Sequence, residues 1–316
     1  MPVRAGIALL AIALGACQTT TVGQAPASTP ALSPLFGPVV GPEVIGGRAD
    51  DEGVVWLLAG GTVLVRVDLD ARRVQRTPLK LGPVDQCWGL ARLRDGSLWT
   101  LKGRRSLIRI EEDGSIGREI ALTAPHLGLF ASGDRLVYQR ADFTPPAPAL
   151  QAGVPGDGAS QPWSGLTTRA FDGLARGSAT ALNMVSCGSS RVAERACWFP
   201  DEAAVVLIDA SGRTRRVELA GLEVVPPAVL LTAENPPRPV RDAYVDEIGA
   251  LWVLSTGKRP AGVPDQPGGW LLARYGPDGA PIGVIALAEP VRLILRASSH
   301  RAVLLTGAGM IVEVIP

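Results

Sequence analysis

Four cysteines and two histidines are the residues of this 316-residue chain whose chemistry depends most on spacing. Cys187 and Cys197 flank the polar segment Gly188 to Ala196, which lies between two apolar stretches. That placement lets them face each other across a hairpin and form a disulfide, with Cys87 left as a buried thiol. A zinc centre is the other use of paired cysteines, but the chain has no Cys-x-x-Cys, and His126 and His300 stand alone. A lone histidine in a strand reads as a hydrogen-bonded structural residue. No Gly-x-Ser-x-Gly elbow is present, and no Gly-rich phosphate loop precedes a helix. The sequence therefore carries no signature of a serine nucleophile, a thiolate metal site or a nucleotide-phosphate cradle.

The fourth cysteine belongs to the start of the chain. Arg4 precedes an uncharged apolar stretch of 12 residues, Ala5 to Ala16. This is the order of parts of a signal peptide, and it is shorter than the roughly 20 residues of a membrane-spanning helix. Leu14-Gly15-Ala16-Cys17 resembles the lipobox of bacterial lipoproteins, which implies a signal peptide over residues 1–16 and acylation of Cys17 (palmitate among the chains). An ordinary secretory signal with an incidental cysteine is the alternative. Gln18 follows the cysteine, and by resemblance to the sorting of lipoproteins lacking Asp there, the expected location is the outer membrane, facing the periplasm. Several acyl chains together would supply the attachment. Residues 17–34 are small, polar and Pro-containing, which reads as a flexible tether.

About 270 residues follow, enough for one large domain. The net charge is +1, from 31 basic and 30 acidic residues, with no block of like charge, which argues against a nucleic-acid partner. Thirty-seven glycines and 27 prolines beside 47% apolar residues describe a well-cored protein full of turns rather than long helices.

Those turns repeat. Asp95-Gly96-Ser97-Leu98-Trp99-Thr100-Leu101 parallels Ile248-Gly249-Ala250-Leu251-Trp252-Val253-Leu254, each a turn followed by a short strand holding tryptophan. Leu107 to Leu122 and Leu272 to Leu287 both read as strand, Asp-Gly turn, strand. Ala204 to Leu219 and Val63 to Leu79 are looser copies. Trp56, Trp99, Tyr138, Trp198, Trp252 and Val303 mark the second strand of successive units, 39 to 60 residues apart. A unit of about 40 residues fits a four-stranded sheet that cannot bury both faces alone, and radial packing of such sheets is a β-propeller. The expected fold is all-β, a six-bladed β-propeller over residues 35–316. The last unit offers three strands (Val291–Ala297, Ala302–Leu305 and Met310–Ile315), so Leu35 to Val40 is expected to supply its outer strand and close the ring. A β-sandwich would explain the strands but not the period.

The repeats resemble the six-bladed propellers of the NHL, streptogramin-lyase-like and gluconolactonase-like kinds, whose blade signature is Asp-x-x-Gly-x-Leu-Trp-Val, an Arg-bearing strand and an Asp-Gly turn. The resemblance is clear in blades 2 and 5. It implies a fold rather than an activity. In such a ring Glu43, Asp85, His126, Asn183, Asp242 and Arg292 fall near the starts of the inner strands, at one channel mouth. The two longest insertions, Phe143 to Leu166 and Thr256 to Trp270, would project from the same face, as binding loops or as tolerated decoration. Trp56, Trp99 and Trp252 are expected between blades, whereas Trp163 and Trp270, at the long loops, are candidates for partner contact.

Likeness to the gluconolactonase-like enzymes implies a divalent metal, Ca²⁺ or a related cation, on Glu43, Asn183 and Asp242. The chain departs from that pattern: Pro125-His126-Leu127-Gly128 replaces the family's Asn-Asp-Gly, and Leu182-Asn183-Met184 lacks its Pro-Asn-Gly. The leading expectation is a lipid-anchored binding or scaffolding module without a cofactor, taking an envelope protein or a small ligand at the propeller face. The alternative is a metal-dependent lactonase or related hydrolase.

Overall fold

Short alternating strands between tight turns assemble into six four-stranded sheets arranged in one ring. The structure is a computed structural model and describes residues 32–315 apart from 42, 44, 52, 83–84, 142, 156–159, 191–194, 235 and 257–268. Cys17 and the tether up to residue 31 lie outside the described residues.

The chain opens with β1 (Ser33–Phe36). Blade 1 is β2 (Ile45–Asp51), β3 (Val54–Ala59), β4 (Val63–Asp68) and β5 (Arg73–Pro78). Blade 2 is β6 (Cys87–Arg92), β7 (Leu98–Lys102), β8 (Ser106–Ile110) and β9 (Ile116–Ala121). Blade 3 is β10 (His126–Ser132), β11 (Arg135–Arg140), β12 (Gln151–Gly153) and β13 (Gln161–Pro162). The helix α1 (Arg176–Leu182) leads into blade 4, which is β14 (Ser186–Gly188), β15 (Arg195–Trp198), β16 (Ala204–Ile208) and β17 (Thr214–Glu218). A second helix, α2 (Pro227–Thr232), precedes blade 5, which is β18 (Arg238–Val245), β19 (Leu251–Thr256), β20 (Trp270–Tyr275) and β21 (Pro281–Ala286). Blade 6 ends the chain with β22 (Val291–Ala297), β23 (Ala302–Thr306) and β24 (Ile311–Val314).

β1 pairs antiparallel with β24 as the fourth strand of blade 6, so the ring closes as the sequence suggested. The closing strand is Ser33–Phe36 rather than Leu35 to Val40, and it begins inside the stretch read as tether. Val39 and Val40 instead follow it as buried residues, and the Val39 amide donates to the Gly309 carbonyl (2.8 Å).

The tryptophan repeat has a geometric meaning. Trp56, Trp99 and Trp252 stand directly opposite Arg66, Arg109 and Arg274 on the third strand. The Arg66 and Arg274 guanidinium groups lie over their indoles at 5.7 and 5.5 Å. In blade 5 the turn before the strand is capped by Asp246, fully buried, which accepts from the Ile248 and Ala250 amides, the Trp252 indole and Arg274. Gly249 takes φ +81° to complete that turn. In blade 2 the same work falls to exposed Asp95, which accepts from the Ser97 amide and hydroxyl, while the Ser97 hydroxyl oxygen accepts from the Trp99 indole.

Six apolar clusters fill the seams, one between each pair of neighbouring blades. Trp56 packs between blades 1 and 2, Trp99 between 2 and 3, Trp163 between 3 and 4, Trp198 between 4 and 5, and Trp252 between 5 and 6. Cys187 and Cys197 are directly opposed in β14 and β15 and form the disulfide. Cys87 is a buried free thiol whose pKa burial pushes up to about 11.

Tyr275 lies fully buried in the seam of blades 4 and 5, its hydroxyl lacks a hydrogen-bond partner, and burial pushes its pKa up to about 12. Tyr275→Phe removes this polar group without opening a cavity. The expected result is a melting temperature equal to or above that of the parent protein, against a loss of about 1 kcal/mol or more for a hydroxyl with a partner.

Candidate functional site at the channel and its upper mouth

Each inner strand runs down from the upper face, so the links from second to third strands and from each outer strand to the next inner strand all lie on that face. The lower face carries the tight Asp-capped turns. The upper face holds both helices and the connection between β11 and β12; the insertion 257–268 lies outside the described residues. The sequence reading of Phe143 to Leu166 as a single loop is corrected. It contains β12 and β13, whose short, Gly- and Pro-containing strands carry no alternation to mark them.

The channel itself is narrow and filled. A methyl group on Gly47 would overlap the backbone of Gly89 and Leu90, and one on Gly188 would overlap the Ala243 carbonyl, so neighbouring inner strands touch backbone to backbone. Arg48 enters this space from β2 and crosses the ring to blades 5 and 6. Its Nη1 donates to Asp242 Oδ2 (2.9 Å) and to the Ile294 carbonyl (2.8 Å). The same Asp242 oxygen accepts from the Ile294 amide (2.7 Å). The Arg48 and Asp242 side chains are 9% and 4% exposed, so this is a buried ion pair bracing three blades.

The three residues singled out for a metal are committed to three separate neighbourhoods. Asp242 lies within β18 rather than at its start and faces a guanidinium. Asn183 is fully buried at the end of α1, where its Oδ1 accepts from the Arg169 amide and its Nδ2 donates to the Arg169 and Ala179 carbonyls. Glu43 lies on the upper rim, 3.7 Å from Arg76. Among the described residues, no group of three or more His, Cys, Asp and Glu side chains is placed to hold a metal ion. A hard cation needs converging, uncommitted oxygens, and this donor set does not fit one.

The other mouth residues do sit at the rim. Asp85 ion-pairs with Lys102 (3.2 Å), which also reaches Glu119 (3.3 Å). Arg292 donates to the carbonyls of Gly41, Glu43 and Gly307, sewing blade 6 to the entry of blade 1. His126 starts β10, buried, with Nδ1 2.7 Å from the Ala124 carbonyl and its ring edge-on to Tyr138 (4.4 Å). Trp163 does not present a contact surface. It is 8% exposed and packs edge-on against Phe130 (5.3 Å). Trp270 remains partly exposed at the rim, with the Arg241 guanidinium 4.8 Å from its ring.

Sequence reasoning missed a second arginine hub. Arg169 donates to both Asp201 oxygens, to Glu202 and to the Leu182 carbonyl, and stacks on Phe199 (4.3 Å) and Phe171 (5.0 Å). It fastens the α1 insertion to the upper turn of blade 4. The single arginine in an irregular segment carries no local signature that would have revealed it.

No family model matches this sequence, and no curated protein matches it. Among solved structures the chain is similar to a member of the DUF4221 family from Bacteroides vulgatus, with a TM-score of 0.56, 11% identity, and 92% of this chain and 96% of that one covered. It is also similar to a protein of unknown function from Bacteroides thetaiotaomicron, with a TM-score of 0.53, 10% identity, and 90% and 75% covered. A streptogramin B lyase aligns with a TM-score of 0.47 and 13% identity over 90% of this chain and 96% of that one. The six four-stranded sheets make the fold a six-bladed β-propeller, and at these identities the likeness reaches no further than the fold.

Proposed function

We propose that this chain is a lipid-anchored binding module of the bacterial cell envelope whose upper face receives the partner. The observation that carries the reading is the asymmetry of the ring. Among the described residues, both helices and the long β11–β12 connection lie on one face, while tight turns form the other. Loops displayed on a rigid scaffold are a common way to build a binding surface. The ion pair through the channel favours binding at the mouth over passage or chemistry inside it. Leu14-Gly15-Ala16-Cys17 supports the anchor and the outer-membrane location, and among the described residues no helix is long and apolar enough to cross a membrane. A hydrolase built on Glu43, Asn183 and Asp242 is disfavoured by the commitments of Asn183 and Asp242.

Two measurements test this. Palmitate labelling in cells is expected to mark the protein and to vanish with Cys17→Ser, together with its recovery in the membrane fraction. A photocrosslinker placed at Trp270 is expected to capture a discrete partner in intact cells, whereas one at Asp113 on the lower turns captures none. Labelling that survives Cys17→Ser, or adducts from the lower face alone, would refute the corresponding half of the proposal.

A further inference from the structure

We infer that the upper rim of blade 5 binds a carboxylate or phosphate group attached to an apolar body, with Arg238 and Arg241 taking the anion and Trp270 the apolar part. This rests on the upper face being the binding face and names the chemistry it recognises.

The site is built by register. Arg238 on β18 lies opposite Thr256 on β19, and Thr256 lies opposite Trp270 on β20, so the three form one row across the blade at its upper edge. The Arg238 amide donates to the Thr256 hydroxyl (3.3 Å). The ladder then breaks. The next pairing is Asp242 with Leu254, which leaves the residues between in a bulge. Bulges re-aim side chains, and this one turns Arg241 out of the ladder to an exposed position with its guanidinium over Trp270. The stacking fixes the guanidinium and leaves its N–H groups for a ligand.

Three cations on the other rims have acceptors close by. Lys102 in blade 2 sits between Asp85 and Glu119. Arg169 has Asp201 and Glu202, and Arg292 has three carbonyls. Among the described residues, neither Arg238 nor Arg241 has a carboxylate partner. Desolvation of the guanidinium stacked on Trp270, and then repulsion from Arg238, hold Arg241 below its usual pKa. An anion placed between them relieves that repulsion and gains charge-assisted hydrogen bonds. The exposed part of Trp270 offers the adjoining apolar surface.

Titration calorimetry on the full chain at low ionic strength tests the site with four probes: phenyl phosphate, benzoate, inorganic phosphate and neutral benzyl alcohol. Phenyl phosphate or benzoate is expected to bind, with benzyl alcohol silent, and the stronger of the two identifies the anion as phosphate ester or carboxylate. Arg241→Gln and Arg238→Gln are each expected to weaken binding about tenfold or more. Trp270→Leu is expected to erase the preference for phenyl phosphate over inorganic phosphate. Arg104→Gln, at the rim of blade 2 over Trp88 (5.2 Å), is expected to change nothing. Unchanged melting temperatures show that the variants fold. Absence of saturable binding by every anionic probe, or equal losses in Arg104→Gln and Arg241→Gln, would overturn the inference. If the probes fail while the Trp270 crosslinker still captures a partner, this chemistry falls and the binding-module reading stands. If the probes bind and no partner is captured, the upper face takes a small anionic ligand and the protein-partner form of the reading falls.

Discussion

Replacing Arg48 with alanine is expected to destabilise the protein by about 3–5 kcal/mol, because it takes a buried guanidinium away from the Asp242 carboxylate. Asp242 keeps the hydrogen bond from the Ile294 amide but loses the Arg48 guanidinium in a space where inner strands touch backbone to backbone. The reverse change, Asp242→Leu, takes the buried carboxylate from the Arg48 guanidinium and is expected to cost a comparable amount. Combining Arg48→Met with Asp242→Leu removes both charges together and should recover most of the loss. A residual deficit of about 1–2 kcal/mol then reflects the Ile294 amide left without its acceptor. Urea unfolding of the two single variants and the double variant provides the measurement. Additive losses in the double variant would show that the two residues act independently and that the ion pair does not brace the channel.

The second large effect belongs to Asp246. Alanine there is expected to cost about 3 kcal/mol, since two backbone amides, the Trp252 indole and Arg274 all lose one buried acceptor group. Asparagine should fall between, because its carbonyl still serves the turn while its NH₂ faces donors. Asp95→Ala, at the equivalent turn of blade 2, is expected to cost only a small fraction of this. Asp95 is exposed, and water replaces it as acceptor. Chemical denaturation of the three variants side by side gives the ranking. Equal effects at the two positions would mean that the aspartate serves the turn alone and that its buried link to the Trp–Arg pair contributes nothing.

That contrast explains what the sequence could reveal. The blade repeat was legible because a cross-strand Trp–Arg pair and an aspartate-capped turn both need particular residues at fixed spacing. The disulfide was legible because its cysteines sit at opposed positions of one hairpin. Blade 3 was half hidden. A third strand of three residues and a fourth of two cannot show a period, and they were absorbed into a supposed loop that also exposed Trp163 on paper. The channel was hidden for a different reason. Arg48 and Asp242 are 194 residues apart, and nothing around Arg48 in Ile45–Asp51 distinguishes it from a solvated arginine. Asn183 read as a possible ligand because sequence shows an amide but not the backbone groups that occupy it. The arginines of blade 5 escaped notice because the bulge that turns Arg241 outward is a matter of register.

The closing strand also gives the ring a polarity. Ser33 pairs with Glu313 and Phe36 pairs with Ile311, and β24 descends from the upper face, so β1 climbs from the lower rim toward the mouth. The chain therefore enters the ring from below. The strand through which any anchor upstream would connect thus meets the ring on the face opposite Arg238, Arg241 and Trp270.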